Sequence, residues 1–460
     1  MRKFQLTGWR CAILLIYLAS WCRDACVYAV FVPWLDDDPF HELHEADNQA
    51  ERHNLPPVLP PGKLSDENRS LPERGKVPTY VVDYCPLVHL YSEERYWPAD
   101  ISDYVTHFKL TDPCGTPIID QQHLTLNDLK SHYAYKLPNG SSVKIPSDLV
   151  YMTSLDDFDK DPRWLLGFSP EYGTGHIKNA PAVLFVADKG NGWVDAFWFY
   201  FYPFNLGAFV MGYGPWGNHV GDWEHSLVRF YRGEPKYIWM SAHGGGGAYR
   251  YEALEKVKKL RRENGKLTPD IIYRPLIFSA RGTHANYASV GQHSHDVPFF
   301  FMPLSDFTDR GPMWDPSLNF YAYTLDDLEV APCGAKEQSM GTSWIHYGGR
   351  WGDKQLSWSD PRQKWCPVQW RYIDGPTGPL TKHLDRVSLC PEFKWWNFWR
   401  GCPARRLIKN GVGLDAEKND LLGDNCGILL YKIRPKWLRA IFRFFMWRGS
   451  ICFVADYFTG

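Results

Sequence analysis

Runs of β-branched and aromatic residues recur along most of the chain, broken by clusters of Gly, Pro and Asn. TYVVDYCPLVHLY from residue 79, PAVLFVA from 181 and WVDAFWFYFYPFN from 193 read as strands. So do HSLVRFY from 225, PKYIWMSAH from 235, RPLIFSARGTH from 274 and VPFFFMP from 297. Short strands with loop punctuation predict a mainly β fold, a two-sheet β-sandwich with a few peripheral helices. The clearest helical spacing lies in YEALEKVKKLRRENGK, where Tyr251, Leu254, Val257 and Leu260 recur every three residues with Lys and Arg between them. That spacing predicts an amphipathic helix with a solvated basic face.

The ends of the chain have a different texture. Arg2, Lys3 and Arg10 precede the short apolar run Cys11–Trp21, which Arg23 and Asp24 interrupt before it is long enough to span a bilayer comfortably. Residues 1–29 are therefore expected to be a signal peptide, with Val27-Tyr28-Ala29 as the cleavage site. A second apolar patch, Cys26 to Leu35, keeps a signal anchor and membrane association through the N-terminus open. Residues 30–78 read as a Pro-rich polar linker, with LPPVLPPGK and SDENRSLPERGK. A β-rich domain should then occupy 79–390, followed by an aromatic and basic extension over 391–460. In that extension Trp437, Phe442, Phe445 and Trp447 suit either an interfacial membrane segment or packing back onto the sandwich.

Composition narrows the class. The 51 basic and 52 acidic residues balance to a net charge of −1, which removes the electrostatic case for a nucleic-acid partner. The 21 Trp and an aromatic share of 16% suit sheet faces and broad binding surfaces. Eight cysteines lie beyond residue 29: Cys85, Cys114, Cys333, Cys366, Cys390, Cys402, Cys426 and Cys452. None forms a C-x-x-C pair, so a thiolate zinc site is not expected, and an exported chain would use them in up to four disulfides. Sequons at Asn68 and Asn139 fit a glycosylated protein of the secretory pathway, the vacuole lumen or the cell exterior.

Chemistry concentrates in GNHVGDWEHSLVRFY, residues 217–231. On a strand, Asp222 and Glu224 project to one side and Trp223 and His225 to the other. Two neighbouring carboxylates repel, so one protonates unless a cation stands between them. His219, Asp222 and Glu224 together would suit Mg²⁺, Ca²⁺ or Mn²⁺. Three readings stay open here. The residues hold an ion that helps bind a ligand, they perform acid–base chemistry, or they only finish a loop. For an enzyme, a metal-dependent hydrolase of an ester or phosphodiester, Glu224 or His225 would be the general base, while His243, Arg281 and His284 stabilise developing charge. His243 precedes four glycines in SAHGGGGAY, read as a flexible loop; Arg281 and His284 lie in SARGTHANYAS. No P-loop, G-x-S-x-G or H-E-x-x-H sequence is present.

The ordered series FWFYFYPFN, HVGDWEHSLVRF, SAHGGGG, SARGTHANYAS, HYGGRWGDK and GPTGP resembles the vacuolar protein sorting-associated protein 62 family, fungal proteins with plant and bacterial relatives. The resemblance spans about Tyr80 to Pro379. It implies a role in protein targeting to the vacuole and a lumenal or membrane-associated location, without a catalytic mechanism. The shorter H-x-x-D-W-E pattern of His219, Asp222, Trp223 and Glu224 is similar to necrosis-inducing plant toxins of the NLP type. That likeness implies a divalent cation used in binding a glycan or lipid headgroup. No counterpart of a further upstream acidic ligand stands in 206–216.

Overall fold

The computed structural model describes residues 55–391, apart from 72, 121–122, 137–140, 211–212, 264–265, 296–303, 327–328 and 367–368, together with 404, 405 and 408. The predicted signal segment, nearly all of the C-terminal extension, Asn139 and the run from 297 lie outside those residues.

Two sheets carry the fold. The strands used below are β1 (Leu87–His89), β2 (Ala182–Asp188), β3 (Trp193–Asn205), β4 (His219–Tyr231), β5 (Glu234–Ala242), β6 (Gly245–Arg250), β7 (Lys256–Glu263), β8 (Lys266–Ser279), β9 (Asn286–Tyr287), β10 (Met313–Trp314), β11 (Phe320–Asp326) and β12 (Glu329–Pro332). The main sheet runs β6-β5-β4-β3-β2-β11-β12, and the second runs β7-β8-β1-β10 with β9 on β8. Only the β2–β11 and β1–β8 pairs in them are parallel.

All thirteen residues of β3 are buried, which accounts for its largely apolar sequence; Asp195, the charged exception, is paired with Arg229 (2.7 Å). One face of the main sheet presents Leu184, Trp198, Tyr200, Val228 and Met240 to Val88, Ile277 and Trp314 of the second sheet. That interface is the sandwich core. The other face presents Phe199, Phe201, Trp223 and Leu227 to Tyr104, Phe108, Trp344 and Trp351, which come from short helices, a loop and the short strand Phe108–Thr111. The sandwich thus carries a third, largely irregular layer. Among the described residues no helix is long and apolar enough to cross a membrane.

Three expectations need correction. The predicted helix from 251 is a single 3₁₀ turn, Tyr251–Ala253, followed by β7. There the backbone pairs with β8, Leu260 opposite Ile271 and Lys258 opposite Tyr273, and this pairing overrides the local three-residue spacing. Thr79–Asp83 is a short helix, so only Leu87–His89 of the run from 79 is a strand. The glycines after His243 are not a flexible loop: Gly245, Gly246 and Gly247 open β6 and pair with Ala242, Ser241 and Met240.

The second half of the expected linker has no regular element but is docked. The Leu59 amide donates to the Lys189 carbonyl (3.0 Å), and those of Ser70 and Leu71 donate to the Asp188 carboxylate (2.9 Å each). Leu71 is buried, and the indole of Trp193 donates to the Pro56 carbonyl (2.6 Å). Cys85, Cys114, Cys333 and Cys366 are free thiols, so half of the eight cysteines are unavailable for the four bridges expected. Asn68 is partly exposed, its side-chain amide donating to Ser65 Oγ (3.1 Å).

Candidate functional site

β4 begins at His219, and its second turn of backbone is unusual. Gly221 has φ +71°, and a Cβ added there would overlap the Trp351 carbonyl oxygen. That same oxygen accepts a hydrogen bond from Tyr104 (2.9 Å), which fixes the third layer against the strand start. From Asp222 onward the strand alternates as the sequence reading expected. Asp222 lies opposite Tyr202 and Glu224 opposite Tyr200, on the face that carries the sandwich core. Trp223 and Leu227 face the third layer.

A cavity of about 300 Å³ opens at this corner. His219, Asp222, Glu224, His243, Thr283 and Lys382 supply its polar lining, with Trp216, Asn205 and Gln369 at other walls. Its size and its mixture of donors, acceptors and two tryptophans, Trp216 and Trp223, suit a small polar ligand.

Behind the cavity stands a buried charge network. His284 Nδ1 donates to Asp222 Oδ2 (2.9 Å), and Nε2 donates to the Tyr96 carbonyl (3.0 Å) with Glu94 Oε1 at 3.8 Å. Both ring nitrogens therefore face acceptors, so the ring is an imidazolium. Burial acts to lower its pKa, but the bonds to Asp222 and Glu94 outweigh burial and hold it up at about 9. The ring stacks on Tyr202 at 3.7 Å and 4°. Glu94 also accepts the amides of Arg95 (2.8 Å), Tyr96 (2.9 Å) and Gly282 (2.7 Å). Burial opposes its ionisation, yet His284 and those amides keep its pKa below the usual carboxylate value.

Glu224 differs from Asp222. Burial first, then the neighbouring Asp222 charge, push its pKa well above the ordinary value, while the Ser241 hydroxyl hydrogen-bonds Oε2. The expected repulsion between the two carboxylates thus shows as a raised pKa at Glu224, while His284 stands beside Asp222. A raised carboxyl pKa costs stability as pH climbs from about 4.5 toward the folded value. In chelator-treated protein, Glu224→Gln should therefore gain stability over wild type by up to about 1.4 kcal/mol per pH unit above that point. Urea midpoints that run parallel across pH 4 to 8 would contradict this.

The other candidate residues separate. His243 lines the cavity, and its Nε2 is 2.7 Å from Asp306 Oδ2, which lies beside Thr283 Oγ1–Oδ1 (2.8 Å) and Tyr287 OH–Oδ2 (2.8 Å) contacts. His225 is removed from the general-base role. It lies on the opposite face, stacked on Phe199 at 4.6 Å, with no hydrogen-bond partner on either ring nitrogen and a pKa driven well below its usual value by burial. Arg281 is exposed and sits over the Tyr91 ring, away from the cavity lining. His284 acts from behind Asp222. Glu94, Ser241, Asp306 and Lys382 were not picked out from the sequence. Each lies on a different segment from HVGDWEH, and no local spacing marks it.

For a cation, the donor set fits in kind. Burial lowers the His219 pKa, and Nδ1 is held at 2.6 Å from the Gly221 carbonyl, which leaves Nε2 as the acceptor. Each carboxylate has one oxygen bonded as above and a second that no described residue engages. Even so, among the described residues no three His, Cys, Asp or Glu side chains are gathered to hold a metal ion.

The model of the family described as vacuolar protein sorting-associated protein 62 matches residues 171–354, the segment that carries β2 to β11, the cavity strand and most of the charge network. A weak fold likeness, TM-score 0.21 at 11% identity, links 55% of this chain to 76% of necrosis and ethylene inducing protein 2 from the causal agent of cocoa's witches' broom disease. Among curated proteins, TDA6 of Saccharomyces cerevisiae is 60% identical over 443 residues, 94% of this chain and 95% of that protein. Vacuolar protein sorting-associated protein 62 of the same yeast is 66% identical over 451 residues, 97% of this chain and 96% of its own length, and the chain belongs to that family.

Proposed function

We propose that this protein acts in vacuolar protein sorting, as a non-enzymatic component of the secretory pathway that binds a glycan or lipid headgroup in the cavity at the start of β4. The names of its relatives support the sorting role. The observation that carries the binding role is the cavity of about 300 Å³ lined by His219, Asp222, Glu224, His243 and Lys382. Hydroxyl groups of a headgroup would meet carboxyl acceptors and the Lys382 donor there, with Trp216 offering a flat apolar face. A divalent ion, Mg²⁺, Ca²⁺ or Mn²⁺, would be held by His219, Asp222 and Glu224 and would supply a positive centre for ligand oxygens. Because burial and the Asp222 charge raise the Glu224 pKa in the ion-free protein, loading should favour loss of its proton, and affinity should rise with pH.

Calorimetric titration of the full chain with each of the three ions, beside Asp222→Ala/Glu224→Ala, tests the site. Saturable binding in wild type, tightening from pH 5 to 7 and absent from a folded variant, is the expected result. No ion binding by either protein would remove the cation and leave direct recognition by the polar lining. Retention of vacuolar cargo by cells carrying only the double variant would separate the cavity from the sorting role.

A hydrolase reading rests on one observation, the buried Glu224, whose pKa burial and Asp222 raise, in a cavity that also contains His243. Turnover of an ester or phosphodiester that is lost in Glu224→Gln would favour it over binding alone.

A further inference from the structure

The loop from Gly352 to Tyr372 forms one border of the cavity and carries an unusual surface. Trp358 is 83% exposed and Trp365 is 62% exposed, and they are the exposed tryptophans among the described residues. Trp365 pairs across a short hairpin with Trp370, and the next pair outward is basic, the Arg371 amide donating to the Lys364 carbonyl (2.8 Å). The Lys364–Arg371 pair stands next to the Trp365–Trp370 pair, so by strand alternation the basic and indole side chains project from opposite faces of the same short ribbon.

The hairpin is not a loose excursion. Gln363, which is buried, donates to the carbonyls of Leu356 (3.0 Å) and Tyr372 (2.9 Å) and accepts the Tyr372 amide (3.0 Å). The Gly217 amide donates to the Trp370 carbonyl (2.8 Å), and Gly217 and Gln369 both line the cavity. The loop's acidic residues are engaged within the fold. Asp353 accepts from Ser154 (3.1 Å), Asp360 pairs with Arg362 (2.8 Å), and Asp374 accepts the Gln355 amide (2.8 Å). Lys364 is left exposed at the rim, with Arg371 half-buried beside it.

We propose that this hairpin is a membrane-docking element, and that its occupant is the headgroup layer of an anionic lipid bilayer. An indole has a large apolar body and one N–H donor, so it partitions to the boundary between headgroups and acyl chains. A neighbouring lysine or arginine reaches the phosphate layer while its stem lies along apolar surface. Trp358 and Trp365 supply the apolar contact, and Lys364 and Arg371 supply the charge complementarity. Docking there brings the cavity mouth to headgroup depth. Docking does not require a ligand in the cavity, because the exposed side chains of the loop and its hairpin supply it.

Flotation of the full chain with vesicles tests it, using phosphatidylcholine alone and phosphatidylcholine with added phosphatidylserine. Wild type should float with the anionic vesicles and lose binding as salt is raised. Trp358→Ser/Trp365→Ser should bind both vesicle types about tenfold more weakly, with a nearly unchanged thermal midpoint because both side chains are mostly exposed. Lys364→Ala should weaken only the anionic case, by about fivefold. Wild type and the double tryptophan variant floating alike would overturn the proposal, since any membrane binding would then come from elsewhere in the chain. Failure of wild type to float with either vesicle type would overturn it as well.

Discussion

Replacing His284 by Ala should lower stability by about 3–5 kcal/mol, because it leaves two buried carboxylates without the cation between them. Asp222 would lose its 2.9 Å partner, and Glu94 would keep only backbone amides. The Tyr202 ring would also lose its stacked neighbour. The sign of the pH dependence identifies the cause. In wild type the raised pKa of His284 contributes stability that is complete below about 6.5 and is lost as pH rises through about 9. Glu94, with its pKa lowered, contributes stability above about 4.5 that is lost as pH falls through its folded value. The difference between wild type and variant in urea unfolding should therefore be largest near pH 5 to 6.5 and narrow toward pH 9. A variant within about 1 kcal/mol of wild type throughout would mean that the ring holds no charge in the folded protein.

Gly221→Ala should be nearly as damaging, at roughly 2–5 kcal/mol, through backbone rather than charge. The residue sits at φ +71°, where an alanine is strained, and its Cβ would meet the Trp351 carbonyl oxygen and the Tyr104 hydroxyl. Relief requires the third layer to move off the start of β4. The variant should thus show early loss of near-ultraviolet circular dichroism from the Trp351 and Trp223 region, alongside a lower urea midpoint. Val220→Ala, one position earlier, removes packing without touching either constraint and should cost about 1–2 kcal/mol less. Equal losses in the two variants would assign the effect to packing alone.

These two positions show how far the sequence could be read. Asp222 and Glu224 on one face and Trp223 on the other follow from strand alternation, and the alternation is legible in D-W-E. The thirteen residues of β3 were equally legible, since a strand covered on both faces has no polar side to display. The partners of the carboxylates were not legible. Glu94 and His284 reach Asp222 from segments far apart in the chain, and only the folded sandwich brings them together. The basic run of β7 misled for a related reason: Lys and Arg along an edge strand give the same charge pattern as a solvated helix face. The docked course of residues 55–71 was hidden by its proline content, which describes an extended backbone but not the surface it lies on.

The two parallel pairs have a consequence for how the protein is made. Leu87 of β1 pairs with Leu276 of β8, and Ala182 of β2 pairs with Phe320 of β11. Neither sheet can close while the chain is still being synthesised, because each waits for a strand encoded much later. Until then the thirteen residues of β3, nearly all apolar, have partners only in their immediate neighbours β2 and β4. Folding of this kind is slow and exposes aggregation-prone surface during synthesis. Hydrogen exchange during refolding should accordingly protect the β2–β3–β4 amides first and those of β1 and β11 last, and biogenesis should depend heavily on chaperones that hold the nascent sheet.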